Sequence, residues 1–185
     1  MGGLPMKLLL AISGASGVEL GRKFLRHLPD GIETHLIVSD NARTVQEREL
    51  GRVTLHSDGD IAAGPASGSF GVDATAVIPC SMNTLAKIAC GISDTLVTRA
   101  AAVALKERKP LLLAPREMPF SPIALENMLK LSRLGVHIAP PVPGYYAEHD
   151  SLEAMERFWI GKWYDLLGID HDLYRRWEGD GTLQR

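Results

Sequence analysis

Four short stretches of this sequence hold residues suited to gripping an anion and moving a proton. Ser13-Gly14-Ala15-Ser16-Gly17 follows an apolar run. Its small residues let backbone N–H groups approach a phosphate, while the following helix adds its dipole. The same stretch also suits a plain tight turn before a helix. Pro79-Cys80-Ser81-Met82-Asn83-Thr84 sets hydroxyl and amide side chains at a second strand-to-helix junction, where Ser81 alone could be only an N-cap. Two such junctions in one small sheet favour a phosphate-bearing ligand over either taken singly. Pro115-Arg116-Glu117-Met118-Pro119 clamps an arginine and a glutamate between prolines. They form either a surface ion pair of little energetic weight or a cation and proton carrier beside a ligand. Pro140-Pro141-Val142-Pro143-Gly144-Tyr145-Tyr146 is stiffened by its prolines and presents two tyrosines, to a ligand or as caps on the core.

These residues can act together only if the chain gathers its strand ends along one edge. Short apolar runs alternate with helical patterns, the signature of a parallel sheet flanked by helices. Strands are expected over 7–12, 33–38, 74–78, 110–114 and 136–139. Helices are expected over 18–28, from Ser39-Asp40 to about Leu50, over 83–89, over 94–108 opened by Asp94, and from Ser121-Pro122 to Gly135. A last helix runs from Ser151 to about Leu167, with Asp150 and Glu153 as a capping box. The stretch 51–72 reads as one long loop. The pattern predicts an α/β fold: a single-domain, Rossmann-like or flavodoxin-like open parallel sheet with helices on both faces. That one domain spans 1–185, with 1–5 a flexible extension and 170–185 a C-terminal tail. Ligands of such sheets sit beyond the carboxyl ends of the strands, where all four stretches fall.

Composition narrows the function classes. The 185 residues are 45% apolar and 23% charged, with a formal net charge of −2, which gives no nucleic-acid footprint. The apolar run after Met6-Lys7 is too short for a leader and feeds straight into the Gly-Ala-Ser-Gly turn, as a buried strand would. Cys80 and Cys90 form no C-x-x-C pair, so neither metal nor disulfide use is expected and a cytoplasmic setting is. Ser39 stands at the end of the second strand, where a dinucleotide ribose would call for an acidic residue.

The ordered set of Ser-Gly-Ala-Ser-Gly, Ser67-Gly68-Ser69-Phe70, Pro-Cys-Ser-Met-Asn-Thr-Leu, Leu105-Lys106-Glu107-Arg108, Pro-Arg-Glu-x-Pro and Pro-Pro-Val-Pro-x-x-Tyr resembles the UbiX-type flavin prenyltransferases, from Met6 to about Gly179. The resemblance implies FMN contacts from Gly14, Ala15, Ser16, Ser39, Ser81, Met82, Asn83, Thr84 and Arg116. It implies dimethylallyl phosphate contacts from Tyr146 and Lys162, with Lys106 reaching in from a neighbouring subunit. Glu117 and Ser16 would handle protons near flavin N5, and Glu49 matches a family glutamate less closely. The implied reaction joins a dimethylallyl group to N5 and C6 of reduced FMN without a metal, and passes the product to a UbiD-type decarboxylase. A homo-oligomer, commonly a dodecamer, is implied as well. Ala102, Met118 and Lys162 depart from the pattern, where aspartate, threonine and arginine are frequent.

Two other functions remain open at this point. One is oxidative decarboxylation of cysteine-containing substrates by FMN, although His27, His35 and His56 are poorly placed for its base. The other is a non-catalytic flavin carrier. Phe70 could shield an allylic cation or belong to the core. The alanines at 100–102 and 104 could pack a subunit contact or lie buried within the chain.

Overall fold

A computed structural model of the protein describes residues 5–14, 17–39, 53–145 and 151–176. Ala15, Ser16, Glu49, Tyr146, Asp150 and the helix expected after Ser39 lie outside the described residues.

Strict alternation builds the sheet. In β1 (Lys7–Ile12), Leu8, Leu10 and Ile12 point to one core and Leu9 and Ala11 to the other. With β2 (Glu33–Val38), β3 (Val53–Ser57), β4 (Ala74–Cys80), β5 (Leu111–Pro115) and β6 (His137–Ile138) it forms a parallel sheet ordered β3-β2-β1-β4-β5-β6. This is the strand order of dinucleotide-binding folds, and it reverses direction between β1 and β4. Both edge strands are short, five residues in β3 and two in β6.

Helices cover both faces. α1 (Val18–Arg26) and α5 (Leu152–Leu167) close one core with Phe24, Ile160, Trp163 and Tyr164. Burying a large side chain of this kind contributes about 2–3 kcal/mol. The Tyr164 hydroxyl donates to the Phe24 carbonyl at 2.5 Å, and burial holds its pKa well above the ordinary tyrosine value, so it stays a donor. α2 (Met82–Ala89), α3 (Leu96–Lys106) and α4 (Pro122–Arg133) pack on the other face. Gly21 lets α1 sit close on the sheet: a Cβ there would stand 2.5 Å from the Ile78 carbonyl oxygen and 2.8 Å from Ile12.

The structure departs from the expected elements at three of the following points and decides between two open readings at the fourth. The stretch read as a loop contains β3, an edge strand with mostly exposed side chains. α3 begins at Leu96, not Asp94. Thr95 caps it in a reciprocal box with Thr98, and Asp58 just after β3 accepts from the Val97 amide at 2.9 Å. The cap of α5 is Ser151, whose hydroxyl accepts from Ala154 N at 3.2 Å, one residue later than an Asp150 box. Ala100, Ala101 and Ala104 are buried within the chain, so these small residues bring α3 onto its own sheet.

Candidate active site

The first two turns meet at the switch point. Ser13, the residue after β1, is 5% exposed. Its hydroxyl donates to the Pro79 carbonyl at 3.3 Å and accepts from the Ser81 amide at 3.0 Å, while its own amide also donates to Pro79 O at 3.2 Å. The end of β1 and the start of α2 are thereby fastened together. Gly14, at φ +92°, follows directly, and a Cβ on it would stand 3.2 Å from Ser81 Cβ. Its amide donates to the Ser39 hydroxyl at 3.4 Å, and the Ser39 amide donates to Ile12 O at 3.1 Å, which brings the end of β2 to the same place.

Ser81 has an N-cap role whatever else it does. Its hydroxyl accepts from Thr84 N at 3.1 Å and lies 2.9 Å from the Thr84 hydroxyl. This cap sets Met82 and Asn83 in the first turn of α2, Asn83 exposed. The neighbouring Cys80 thiol is fully buried, and burial pushes its pKa up to about 12, so it is no nucleophile.

The third turn joins them through Arg116. Gly17, at φ +88°, is the N-cap residue of α1 and supplies no side-chain cap. A Cβ on it would stand 3.5 Å from both Arg116 Cδ and Nε, so the arginine lies along the start of α1. First-turn amides without a cap, beside a guanidinium, suit a phosphate. Glu117 is exposed next to it, and its Oε1 accepts from the Met118 amide at 3.1 Å.

The remaining expected ligands are placed elsewhere. Lys106 ends α3 at the amino-terminal edge of the sheet, paired with Glu107 above Gly68, where a Cβ would overlap the Glu107 carboxylate and stand 2.8 Å from Lys106 Nζ. The length of β4 separates that edge from the Ser81 turn, roughly 20 Å for a strand of seven residues. Phe70 lies near the same edge. Its ring packs edge-on against His35 at 4.9 Å and beneath the Lys7 ammonium at 4.2 Å, which removes it from this chain's own ligand turns. Lys162 is half exposed on α5, with Nζ 4.0 Å from Asp165 Oδ2. Ser13 and Gly17 were not singled out as ligands from the sequence. Their signal was there, since both belong to the Ser-Gly-Ala-Ser-Gly stretch. No helix among the described residues is long and apolar enough to cross a membrane.

Several known proteins resemble this chain in sequence and fold. A family model described as Flavoprotein matches residues 4–158. The flavin prenyltransferase UbiX of Helicobacter pylori is 48% identical over 184 residues, covering 93% of this chain and 98% of that protein. Among solved structures, a dodecameric FMN-dependent UbiX-like decarboxylase from Escherichia coli O157:H7 superposes with a TM-score of 0.89 at 42% identity, covering 94% of this chain and 100% of that one. AnUbiX (PadA1), in complex with FMN and dimethylallyl pyrophosphate, superposes with a TM-score of 0.90 at 38% identity, covering 96% and 100%.

Proposed function

We propose, for a chain that belongs to the flavoprotein family and within it to the UbiX flavin prenyltransferases, that it joins a dimethylallyl group to N5 and C6 of reduced FMN. The observation that carries this reading is the meeting of three ligand turns at the switch point, Gly14 against Ser81 with Arg116 along the start of α1. Bound reduced FMN supplies the nucleophilic nitrogen and carbon.

The chain's own residues bind, orient and shuttle protons. Gly14, Ala15, Ser16, Ser39, Arg116 and the Ser81, Met82, Asn83 and Thr84 turn hold the flavin. Glu117 and Ser16 carry protons to and from the neighbourhood of N5. Lys106, Tyr146 and Lys162 bind the prenyl phosphate and, with Arg116, meet the charge that develops on the leaving group.

Lys106 can serve a site only in another copy of the chain, given its place at the far edge of its own sheet. Subunits therefore share the site in a homo-oligomer, as a dodecamer would allow. In support, Met118 is 91% exposed and Ile123 is 71% exposed, and Leu125, Leu129 and Leu134 are also exposed on or beside α4, an apolar surface suited to a neighbouring subunit. The product passes to a UbiD-type decarboxylase, and the protein works in the cytoplasm, where its free Cys80 and Cys90 stay reduced. Cysteine decarboxylation has less support, because the buried His35 is committed to hydrogen bonds with His56 at 3.0 Å and Glu33 at 2.9 Å. Incubation with reduced FMN and dimethylallyl phosphate tests the proposal: the flavin gains the mass of one prenyl group, and an unchanged flavin mass refutes it.

A further inference from the structure

Lys162 does not stand alone on α5. Three residues on, Asp165 is the centre of a cluster that folds the chain after α5 back onto the helix. The Asp165 Oδ1 accepts from His171 Nε2 at 3.1 Å and from Arg176 Nη2 at 2.8 Å, and Oδ2 accepts from the Tyr174 hydroxyl. The Leu173 amide donates to His171 Nδ1 at 3.1 Å, which fixes the proton of the neutral ring on Nε2, facing the carboxylate. Gly161 makes room for this return. A Cβ there would stand 2.5 Å from the Tyr174 ring and 2.8 Å from His171. The His171 side chain is 3% exposed, so the clasp is packed as well as hydrogen-bonded.

A lysine three residues before a carboxylate on a helix normally closes an ion pair with it. Here the pair is loose: Lys162 Nζ stays 4.0 Å from Oδ2, beyond hydrogen-bond distance, while the Tyr174 hydroxyl donates to that same oxygen. We propose that Tyr174 is a positioning residue for Lys162: its hydroxyl, held on Asp165 Oδ2, keeps the ammonium from being captured by that carboxylate and so available to the phosphate of the prenyl substrate. This inference rests on the reading of Lys162 as a phosphate ligand. Losing the Tyr174 hydroxyl vacates Oδ2, the oxygen nearer Lys162. The lysine then closes on it, and an incoming phosphate must compete with a carboxylate for the same cation.

The test is steady-state kinetics of the full chain with reduced FMN and varied dimethylallyl phosphate. Tyr174→Phe keeps the ring that packs on Gly161 and changes no charge. It should raise KM for dimethylallyl phosphate about three- to tenfold, the scale of a weakened charge-assisted contact, with kcat and FMN affinity nearly unchanged. Adding Asp165→Asn should bring KM back down, because no carboxylate remains to capture the lysine. In a Lys162→Ala background, Tyr174→Phe should raise KM no further. A KM unaffected by Tyr174→Phe, a rise that persists with Asp165→Asn, or one that adds to Lys162→Ala overturns the inference while leaving Lys162 a phosphate ligand. If Lys162→Ala alone leaves KM unchanged, the phosphate reading falls first and the inference with it.

Discussion

Ser13 and Ser81 are 68 residues apart in sequence, and a 3.0 Å hydrogen bond from the Ser81 amide to the Ser13 hydroxyl joins the two Ser13–Pro79 bonds in fixing the distance between the ends of β1 and β4. That bond helps make the two turns one cradle. Neither its donor nor its acceptor need touch a ligand for its loss to disturb binding.

Ser13→Ala should therefore weaken FMN binding, whereas Ser81→Ala keeps the amide donor of that bond and should act through the loss of its hydroxyl, at a further cost. Ser81 also caps α2, and losing an N-cap typically costs about 1 kcal/mol of stability. Flavin fluorescence quenching and thermal melts, run in parallel, separate the two effects. Wild type should quench FMN and show no binding of NAD, since Ser39 ends β2 without an acidic ribose ligand.

Glu117→Gln should keep the fold and FMN binding. Prenylation should slow by about 10²–10⁴-fold, the usual contribution of a positioned acid or base. Single-turnover mass spectrometry of the flavin measures this directly, and a rate equal to wild type would remove Glu117 from proton transfer.

Removing Lys106 or Tyr146 should weaken use of dimethylallyl phosphate roughly ten- to a hundredfold and leave FMN affinity intact. Because Lys106 is expected to act in a neighbour's site, co-assembled Lys106→Ala and Glu117→Gln subunits should recover activity that neither has alone. Light scattering should give a mass several times that of one chain. A fully active monomer would end the shared-site reading.

Stability should fall as pH drops below neutrality. Burial, and then the nearby His35, hold His56 below its ordinary 6.5, only partly offset by Asp60; burial and the surrounding arginines lower His27 as well. Below about pH 6.5 the unfolded chain binds protons that the folded chain resists, so this stability is complete above that pH and lost on further acidification. Melting temperature measured from pH 7.5 to 5 should decline, and His56→Gln should flatten the decline.

Most of the architecture was legible because it is buried. β1 and β2 have the expected bounds, since their apolar residues face two cores and must alternate. β3 was missed for the opposite reason: an edge strand such as Val53–Ser57 buries little, so its sequence carries only a faint pattern. That Gly14, Ser81 and Arg116 lie in turns was legible because small, capping and proline residues mark turns locally. The places of Lys106 and Phe70 were not, because which edge of a sheet a helix end reaches depends on the whole chain path. The clasp on Asp165 was hidden similarly, its members spread from Asp165 to Arg176 with no motif of their own.

The two short outer strands, β3 with five residues and β6 with two, have a consequence for how copies of this chain can associate. A long bare strand invites another chain to extend the sheet, a process with no natural stopping point. Among the described residues little strand backbone is on offer at either end, and on the β3 side Asp58 draws the chain away to hold α3. Association must then run through side chains, whose fit is satisfied at a fixed number of neighbours. Growth that stops at a closed particle, instead of continuing into a fibre, is the outcome such a sheet permits.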